Sequence, residues 1–342
     1  MTAGLNHRKT ALTRSYEFVD DFIAKMGPAM RADVVDRGPL SSILKYALDK
    51  RGKLVRPLMM LAASDVVGGD PKQIFYAALA CEYGHIGSLV HDDVIDNDLT
   101  RRGRPSVLAK YGVPGAIVGG DALIFLLFHA MTRCAEAGIP AERVVQAIQL
   151  IANAGVEMCR GQALESEVTI ESDLSIESYL SVIYGKTAAY FEAVCAAGAT
   201  LAGASPGDTA EISRFGKHFG MAFQIQDDLL PYRSSGEVAG KSPFSDLENG
   251  RVSLPFLVAV QTATGAERQL LIKAQALAAA GKPVPDITQV AAIVGREDVL
   301  SRCAEFERRE IARAASSLDR FNEGPGKLFL GDLIEAMTGR AA

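Results

Sequence analysis

The sequence predicts an all-α fold, and three of its features support that prediction. Apolar residues recur at helical spacing along most of the chain, most clearly in four segments: 74–90, 116–137, 144–159 and 176–201. The alternation of apolar and polar residues that is typical of strands is nearly absent. Glycine and proline cluster at short breaks, which leave segments of ordinary helix length between them: 68–71, 138–140, 203–207 and 281–285.

Length and composition are those of an ordinary globular protein. The chain has 342 residues, of which 48% are hydrophobic and 23% are charged. Such a length forms one large domain or two medium ones. We predict a single domain over residues 1–342, because no Pro/Ser-rich linker or low-complexity tract interrupts the helical pattern. The formal net charge of −5 gives no general reason to expect nucleic-acid binding.

Cysteine usage and the N-terminus indicate a cytoplasmic protein. The 5 cysteines are scattered and lack the C-x-x-C spacing of a zinc or redox site, so we expect reduced, buried thiols. Residues 1–18 contain no apolar run of the length that a signal peptide needs. The longest apolar stretches elsewhere carry polar residues within the length of a membrane span, so no transmembrane segment is expected.

An acidic motif, D-D-x-x-D, ends one of the predicted helices. On a helix, Asp92 and Asp96 stand one turn apart on the same face. Two carboxylates in one space repel each other, and a hard cation that prefers oxygen ligands offsets this cost. The motif therefore predicts a magnesium site, with Asp93 beside it. Taken alone, the same motif is also typical of a solvated acidic helix face.

The surroundings of this motif favour the metal site. The helix before it is rich in apolar and small residues, so its aspartates are expected in a cleft. Nine residues beyond Asp92 comes the arginine-rich segment 101–105, R-R-G-R-P. Guanidinium groups match phosphate oxygens bidentately. Carboxylate, metal, phosphate and arginine would thus form one site with alternating charges.

A second acidic doublet, Asp227 and Asp228, lies at the end of another apolar helix. A polar stretch follows it at 231–255, which we interpret as an active-site loop. Here the pattern is D-D-x-x-P, because Pro231 occupies the place where a further carboxylate is expected. Proline tends to end a helix, so the chain is expected to bend soon after Leu230. A helix end with an acidic patch is the alternative interpretation of this doublet.

Six motifs in consistent order resemble the trans-isoprenyl diphosphate synthase (polyprenyl synthetase) family. They are G-K-L-V-R-P at 52–57, D-D-V-I-D at 92–96, G-K-T-A at 185–188, F-Q-I-Q-D-D at 223–228, G-K at 240–241 with D-L at 246–247, and R-V-S-L-P at 251–255. The resemblance implies a single-domain orthogonal helical bundle around a deep central cavity. It also implies a magnesium-dependent trans-prenyltransferase, which condenses isopentenyl diphosphate with an allylic diphosphate (dimethylallyl, geranyl or farnesyl) to a linear polyprenyl diphosphate.

The resemblance assigns roles residue by residue. Those expected to hold isopentenyl diphosphate are Lys53, Arg56, His85 and Arg102. Those expected to bind three Mg²⁺ ions directly are Asp92, Asp96 and Asp227, supported by Asp93 and Asp228. Those expected to bind the allylic diphosphate are Arg101, Lys186 and Lys241, with Arg251 in the same basic loop. Thr187 and Gln224 are expected to face the reacting carbon. The expected catalytic set consists of the metal ligands Asp92, Asp96 and Asp227, the cations Arg101, Lys186 and Lys241, and the pair Thr187 and Gln224.

Several of these residues also have an ordinary structural interpretation. Taken singly, Lys53 and Lys241 are typical of solvated surface charges, and His85 is typical of a buried histidine bonded to a carbonyl group. The chemistry needs no general base from the protein, since the leaving diphosphate can accept the proton. This agrees with the lack of a Ser-His-Asp or Cys-His arrangement in the sequence.

Small residues before the first acidic motif predict a long product. Gly84, Gly87 and Ser88 lie on the helix down which the growing prenyl chain is expected to run, and none of them would block a channel. Family members that stop at farnesyl usually place an aromatic residue there, so we predict geranylgeranyl diphosphate or a longer product. The alternative is that these residues only allow close helix packing, and that Phe125 or Phe128 closes the channel.

Parts of the sequence are also compatible with two other functions and with one assembly. A class I terpene cyclase shares D-D-x-x-D, but the segment 227–235 lacks the second metal motif of that class. A regulatory subunit that binds poorly and has lost turnover is suggested by Pro231 alone. Family members usually form homodimers, and the apolar segment 144–159 is the expected interface.

Overall fold

A computed structural model of the protein describes residues 14–50, 52–167, 175–233 and 245–338. Within these residues the chain forms fifteen α-helices, one 3-10 turn, one π-helical turn and one short β-hairpin. The all-α prediction is therefore confirmed. The predicted breaks are also confirmed, because each separates two consecutive helices of the described chain.

The described residues fall into two compact units. One contains residues from 1–151, 194–212 and 321–332, and the other contains residues from 152–193, 213–320 and 333–342. Four long helices, at 141–167, 189–202, 206–233 and 325–338, contribute residues to both. The prediction of a single domain stays a prediction.

The first unit is built from the N-terminal helices and the hairpin. Its elements are α1 (Glu17–Asp33), α2 (Gly38–Asp49), α3 (Val55–Val66), α4 (Phe75–Ile95), β1 (Thr100–Arg101), β2 (Arg104–Pro105), α5 (Val107–Thr132), the 3-10 turn Arg133–Ala135 and the start of α6 (Ala141–Glu167). Helix α4 packs against α3 and α5, and α5 also packs against α2. Large buried side chains such as Phe22, Met60 and Tyr83 form its interior.

The second unit contains the later helices. Its whole elements are α7 (Ile176–Ile183), the π-helical turn Tyr184–Ala188, α10 (Ser245–Glu248), α11 (Leu254–Thr262), α12 (Gly265–Ala279), α13 (Ile287–Val294) and α14 (Glu297–Ser317). It also contains the end of α6 and parts of α8 (Ala189–Ala202), α9 (Pro206–Arg233) and α15 (Pro325–Thr338). Helix α11 is almost fully buried and packs against α7, α12, α13 and α14. Ile225 and Leu229 of α9 join this core, which fixes the helix that carries the second acidic doublet.

The hairpin is the one strand structure of the described residues, and the sequence pattern did not predict it. Thr100 pairs with Pro105, and Arg101 pairs with Arg104. The two turn residues have positive φ angles, 53° at Arg102 and 71° at Gly103, as the tight turns of two-residue hairpins require. Each strand has only two residues, which is too short for an alternation pattern to appear in the sequence.

One helical stretch, Val107–Ala135, is long and apolar enough to cross a membrane, judged by length and composition alone within the described chain. It comprises α5 and the 3-10 turn. Helix α5 is interrupted at Gly112, whose φ is 70°, and it begins at the cap Ser106, whose hydroxyl accepts a hydrogen bond from the amide of Ala109. Its packing against α2 and α4 leaves several apolar side chains exposed.

Candidate active site

The last turn of α4 carries the first acidic motif. Asp92 and Asp96 are both partly exposed, and Asp96 caps the helix with its amide 2.8 Å from the carbonyl oxygen of Asp92. The two carboxylates therefore lie one helical turn apart at the open end of the helix, as the sequence predicted. Asp93 differs from them, because it is only 2% exposed.

Arg101 is held by two aspartates of the first unit. Its Nε donates a 2.8 Å hydrogen bond to Asp93 Oδ1, and its Nη2 lies 3.1 Å from Asp98 Oδ2. Burial raises the pKa of Asp93, while the hydrogen bond and charge of Arg101 oppose that rise. Arg101 and Asp93 thus hold each other in place, and Asp93 directly follows the partly exposed Asp92 in the sequence.

The hairpin brings the second arginine of R-R-G-R-P onto the G-K-L-V-R-P segment. Arg102 Nη1 donates a 2.6 Å hydrogen bond to the carbonyl oxygen of Lys50, and Lys50 Nζ donates one of 3.1 Å to the carbonyl of Arg102. A Cβ atom on Gly52 would lie 2.6 Å from Arg102 Nη2, so only glycine leaves room for the guanidinium there. Two motifs that are fifty residues apart in sequence are therefore in contact.

A cluster of charges, which we call the arginine cluster, surrounds the middle of α4 and consists of Arg56, Glu82, His85 and Arg102. Burial holds the pKa of His85 well below its ordinary value, and the charges of Arg56 and Arg102 lower it further. The imidazole is therefore neutral at pH 7. Lys53, which the sequence places in the same subsite, is exposed at the turn before α3.

Sequence reasoning missed Glu82. It is 1% exposed, and among the described residues neither carboxylate oxygen has a hydrogen-bond partner. Burial raises its pKa, while the charges of Arg102 and Arg56 oppose that rise. A lone acidic residue within the apolar run 77–83 was the available signal, since a buried carboxylate needs a charged neighbour.

In the second unit, the π-helical turn Tyr184–Ala188 carries Lys186 and Thr187. Two glycines allow the neighbouring helices to approach it closely. A Cβ atom on Gly161 of α6 would overlap the backbone nitrogen of Lys186, and one on Gly220 of α9 would lie 2.6 Å from the Cα of Ala188. Such π-helical turns are frequent at functional sites. The close approach brings both side chains to partners on α6 and α9.

Lys186 contacts an acidic residue of α6 that the sequence reasoning also missed. Its Nζ donates a 2.6 Å hydrogen bond to Glu165 Oε2, and Gln162 Nε2 donates one of 3.1 Å to the same oxygen. Both partners of the ion pair remain about one quarter exposed, at 25% for Lys186 and 27% for Glu165. The ammonium group is thus oriented by Glu165 and still accessible.

A chain of hydrogen bonds connects the π-helical turn to the second acidic doublet. Thr187 Oγ1 donates to Gln224 Oε1 at 2.8 Å, and Gln224 Nε2 donates to Asp228 Oδ1 at 3.1 Å. Asp228 Oδ2 accepts hydrogen bonds from the Tyr179 hydroxyl at 2.8 Å and from the amide of Leu254 at 3.2 Å. The structure therefore joins three of the predicted residues, Thr187, Gln224 and Asp228, and adds Tyr179.

Helix α9 continues through Pro231 and ends at Arg233, three residues beyond Leu230. Proline lacks an amide hydrogen, so position 231 gives no helical hydrogen bond to the carbonyl of Asp227. The end of the helix is instead fixed by Arg233, whose Nη2 lies 2.8 Å from the buried carboxylate of Glu307. Asp227 is half-buried at this end.

The two remaining basic residues of the predicted set are Arg251 and Lys241. Arg251 is half-buried just before α11. Lys241 lies outside the described residues, so its predicted role stays a prediction.

The residues expected to set product length have different surroundings. A Cβ atom on Gly87 would lie 3.2 Å from both the Gly120 carbonyl oxygen and Leu123 Cβ, so Gly87 allows α4 to pack closely on α5. Ser88 Oγ donates a 2.9 Å hydrogen bond to the carbonyl of His85. Gly84 is half-buried, whereas Phe125 is 73% exposed on α5. The chain-length role of Gly84, Gly87 and Ser88 stays a prediction.

The acidic pair of α4 has the chemistry of a magnesium site. Within the described part of the chain, no three His, Cys, Asp or Glu side chains converge into a metal site of their own. Mg²⁺ is usually held by one or two carboxylates, with water and phosphate oxygens completing its octahedral shell. Asp92 and Asp96, partly exposed and one turn apart, fit that arrangement.

Comparisons with known proteins define the class. The family model for polyprenyl synthetase matches residues 38–293. The chain is 36% identical over 223 residues to a geranylgeranyl diphosphate synthase of Sulfolobus acidocaldarius, covering 65% of this chain and 67% of that protein. It is 35% identical over 326 residues to a heptaprenyl diphosphate synthase component 2 of Geobacillus stearothermophilus, covering 94% and 97%. The chain belongs to the polyprenyl synthetase family.

Solved structures confirm the fold. The chain matches polyprenyl synthase structures over almost its whole length. One of them, a polyprenyl synthase from Caulobacter crescentus CB15 complexed with calcium and isoprenyl diphosphate, gives a TM-score of 0.83 at 25% identity and covers 95% of this chain and 96% of that one. The predicted isoprenoid-synthase fold and the trans-prenyltransferase class are both confirmed. The roles of the individual site residues stay predictions.

Proposed function

We propose that the protein condenses isopentenyl diphosphate with an allylic diphosphate and releases a linear polyprenyl diphosphate of geranylgeranyl length or longer. The observation that carries this proposal is the arginine cluster, in which Arg56 of α3 and Arg102 of the hairpin face Glu82 and His85 of α4, two to three turns before the acidic pair of the same helix. The first unit thus contains two candidate ligand sites, one built from carboxylates and one built from cations. A prenyltransferase needs both, since it binds one diphosphate through metal and one without it.

The arginine cluster is the proposed site for isopentenyl diphosphate. Arg56 and Arg102 would supply guanidinium groups, neutral His85 would supply a further hydrogen-bond donor, and exposed Lys53 would supply a flexible cation. Guanidinium groups bind phosphate oxygens bidentately and fix their orientation. The backbone contacts of Arg102 with the Lys50 segment support this role, because they hold the guanidinium in place before substrate binds.

The two acidic motifs are the proposed sites for the metal ions that hold the allylic diphosphate. Asp92, Asp96 and Asp227 would bind three Mg²⁺ directly, while Asp93 and Asp228 would support them through their hydrogen bonds. When bound, Mg²⁺ acts as a Lewis acid that neutralises charge on the leaving diphosphate. Arg101, Lys186, Lys241 and Arg251 would add positive charge to the same oxygens.

The reaction then follows from charge neutralisation. The allylic C–O bond breaks and its electron pair leaves with the diphosphate, which the cations of the site stabilise. The isopentenyl double bond supplies the electron pair for the new C–C bond, and the resulting tertiary cation loses a proton to the released diphosphate. Thr187 and Gln224 would present oxygen dipoles to the allylic cation and exclude water from it.

Product length is the finer part of this proposal. The small residues Gly84, Gly87 and Ser88 place no aromatic side chain in the turns before Asp92. Relatives named geranylgeranyl and heptaprenyl diphosphate synthases support a product longer than farnesyl, and other relatives are named farnesyl diphosphate synthases. We expect Ser88→Phe to shorten the product, because an aromatic ring one turn before Asp92 would fill the upper part of such a channel.

The test is incubation of the purified protein with Mg²⁺, labelled isopentenyl diphosphate and, separately, dimethylallyl, geranyl and farnesyl diphosphate, with products sized by chromatography. Linear products of geranylgeranyl length or longer are expected. Products that stop at farnesyl would contradict the length proposal and leave the condensation intact. Cyclised hydrocarbons would favour a terpene cyclase instead.

A second candidate is one component of a synthase made of two different chains. It is suggested by the name of the Geobacillus relative, a component 2 that this chain matches over 97% of its length. Turnover by this chain alone would exclude the need for a partner. Turnover that appears only after a second protein is added would favour this candidate.

We also propose that the protein is a homodimer, and that α5 contributes to the interface together with the predicted segment 144–159. Ile117, Val118 and Phe125 of α5 are 44%, 52% and 73% exposed, and Val145 at the start of α6 is 53% exposed. Large exposed apolar groups of this kind mark contact surfaces. Light scattering of the wild type and of Phe125→Asp tests this proposal: a dimer that becomes monomeric supports it, and a monomeric wild type contradicts it.

A further inference from the structure

Tyr179 and Asp228 form a buried hydrogen-bonded pair that connects α7 to the end of α9. The Tyr179 hydroxyl lies 2.8 Å from Asp228 Oδ2, and the tyrosine is only 3% exposed. Ser175 caps α7 by accepting a hydrogen bond from the amide of Ser178, which fixes the start of the short helix that carries the ring. Burial and the neighbouring carboxylate raise the pKa of Tyr179 well above its ordinary value. The phenol therefore stays protonated and can only donate to Asp228.

Three donors of the described chain reach the carboxylate of Asp228. They come from three different elements: the Tyr179 hydroxyl from α7, Gln224 Nε2 from α9 and the Leu254 amide from the start of α11. A carboxylate offers about four acceptor positions on its two oxygens. Protein groups thus occupy most of the acceptor positions of Asp228. The carboxylate is therefore suited to orient its neighbours and less suited to bind a metal directly.

The hydrogen bonds of Asp228 also fix the orientation of the reacting-carbon pair. Because Asp228 accepts from the amide nitrogen of Gln224, the amide oxygen of Gln224 points to Thr187 and accepts its hydroxyl hydrogen. The hydroxyl hydrogen of Thr187 is therefore committed to this bond. Because the hydrogen points to Gln224, the lone pairs of Thr187 Oγ1 can face a developing cation.

We propose that Tyr179 is a positioning residue for the reaction, which acts by fixing Asp228 and, through Gln224, the hydroxyl of Thr187. This inference rests on the proposed function. The phenol touches no substrate in this account. Its contribution is to fill one acceptor position of Asp228, so that the carboxylate keeps the rotamer in which it orients Gln224. Partners of metal-supporting groups typically change metal affinity or activity about 10- to 100-fold when they are removed.

The chain provides a matched control in its other unit. The Tyr83 hydroxyl donates a 2.8 Å hydrogen bond to Asp33 Oδ2, and Tyr83 is 0% exposed. Tyr179→Phe and Tyr83→Phe therefore remove the same group from the same kind of buried bond. Asp33 is paired with Arg133 and belongs to neither proposed substrate site. Loss of stability alone should affect both variants alike.

The first measurement is turnover with geranyl diphosphate and isopentenyl diphosphate. For Tyr179→Phe we expect kcat to fall about tenfold, with both KM values near those of the wild type. The share of allylic alcohol among the products should rise, because water competes when the cation is less well oriented. Tyr83→Phe should keep the wild-type kcat and product ratio. Equal kcat values for the two variants would overturn the proposal.

The second measurement does not depend on turnover. The melting temperature is followed while Mg²⁺ is titrated in the presence of inorganic diphosphate. We expect the Mg²⁺ midpoint of Tyr179→Phe to rise about tenfold and that of Tyr83→Phe to stay unchanged. An unchanged midpoint for Tyr179→Phe would overturn the proposal. If the wild type elongates no primer, the proposed function fails, yet this titration still tests the role of Tyr179.

A double-mutant cycle shows whether Tyr179 acts through Asp228. Adding Tyr179→Phe to an Asp228→Asn background should have little further effect on the Mg²⁺ midpoint, because coupled residues are not additive. Full additivity of the two substitutions would overturn the proposed route. Far-ultraviolet circular dichroism of all variants confirms that each one is folded.

Discussion

The ammonium group of Lys186 lies 2.6 Å from the carboxylate of Glu165, across the close approach of the π-helical turn to α6. A lysine side chain has many rotamers, and ordering them costs free energy on binding. Glu165 reduces that cost, because it holds the ammonium in one position while leaving it one quarter exposed. The oriented ammonium group is the part of this pair that we expect to bind a phosphate oxygen of the allylic substrate.

Replacement of Lys186 should weaken the allylic site selectively. We expect Lys186→Met to lower kcat/KM for geranyl diphosphate about 100-fold, an effect of about 2.7 kcal/mol on the transition state. The KM for isopentenyl diphosphate should change little. The control is Lys217→Met, since Lys217 lies in the same unit with its ammonium group 5.1 Å from the centroid of the Tyr184 ring. Equal losses in the two variants would contradict the assignment.

Replacement of Arg102 should weaken the other substrate. We expect Arg102→Lys to raise the KM for isopentenyl diphosphate at least about tenfold, because a single ammonium group does not reproduce the bidentate guanidinium. The KM for the allylic diphosphate should stay near the wild-type value. Arg160→Lys is the control, as its side chain is 70% exposed. A rise in the allylic KM alone would exclude the proposed assignment of the arginine cluster.

The buried carboxylate of Glu82 should make stability depend on pH. Its pKa in the folded protein is raised by burial, so the folded state favours the protonated form. Below the unfolded pKa of about 4.3, Glu82 is protonated in both states and does not lower the free energy of unfolding. As pH rises from there through the folded pKa, the unfolded state ionises more readily than the folded state, and the fold loses stability. We expect Glu82→Gln to raise the melting temperature at pH 8 by about 2–4 °C, or about 1 kcal/mol, and the gain to vanish below about pH 4.

Glu310 provides a control of opposite sign. Burial alone would raise its pKa, but the hydrogen bond and charge of His218 and the charge of Arg313 outweigh burial and lower it. Stability from Glu310 is present above its unfolded pKa and is lost as pH falls through the folded pKa. Glu310→Gln should therefore lower the melting temperature at pH 7. If both variants shifted the melting temperature in the same direction, these assignments would be wrong.

The proline in the second acidic motif can be tested by restoring the carboxylate. We expect Pro231→Asp to lower the Mg²⁺ concentration at half-maximal activity several-fold, because a further carboxylate would support the metal site through water. The matched control is Pro231→Asn, which restores the backbone donor to the Asp227 carbonyl without adding charge. If both variants lowered the Mg²⁺ midpoint equally below that of the wild type, the missing backbone donor would be the cause and not the missing carboxylate.

The sequence predicted those features that depend on neighbours in the chain. Helical periodicity and Gly/Pro breaks located the helices, and spacing within one helix placed Asp92 and Asp96 on a common face. The sequence did not predict contacts between segments that are distant along the chain. Tyr179 and Asp228 are 49 residues apart, and Lys186 and Glu165 are 21 apart, so only folding brings these pairs together.

Two local features of the structure were not evident from the sequence pattern. The chain was expected to bend soon after Leu230; α9 runs through Pro231 to Arg233, where the buried pair of Arg233 and Glu307 holds its last turn. Gly87 was expected to line a channel, with close helix packing as the alternative; a Cβ atom there would lie 3.2 Å from atoms of α5, and its chain-length role stays a prediction. Neither the salt bridge nor the helix crossing leaves a mark in the local sequence pattern.

The most direct test of the central claim measures two quantities in one reaction. Purified protein is given Mg²⁺, geranyl diphosphate and labelled isopentenyl diphosphate, and both label incorporation and released inorganic diphosphate are followed over time. The account predicts one diphosphate released for each isopentenyl unit incorporated, in linear products of geranylgeranyl length or longer. Diphosphate release without incorporation, or no reaction by the folded protein, would contradict it.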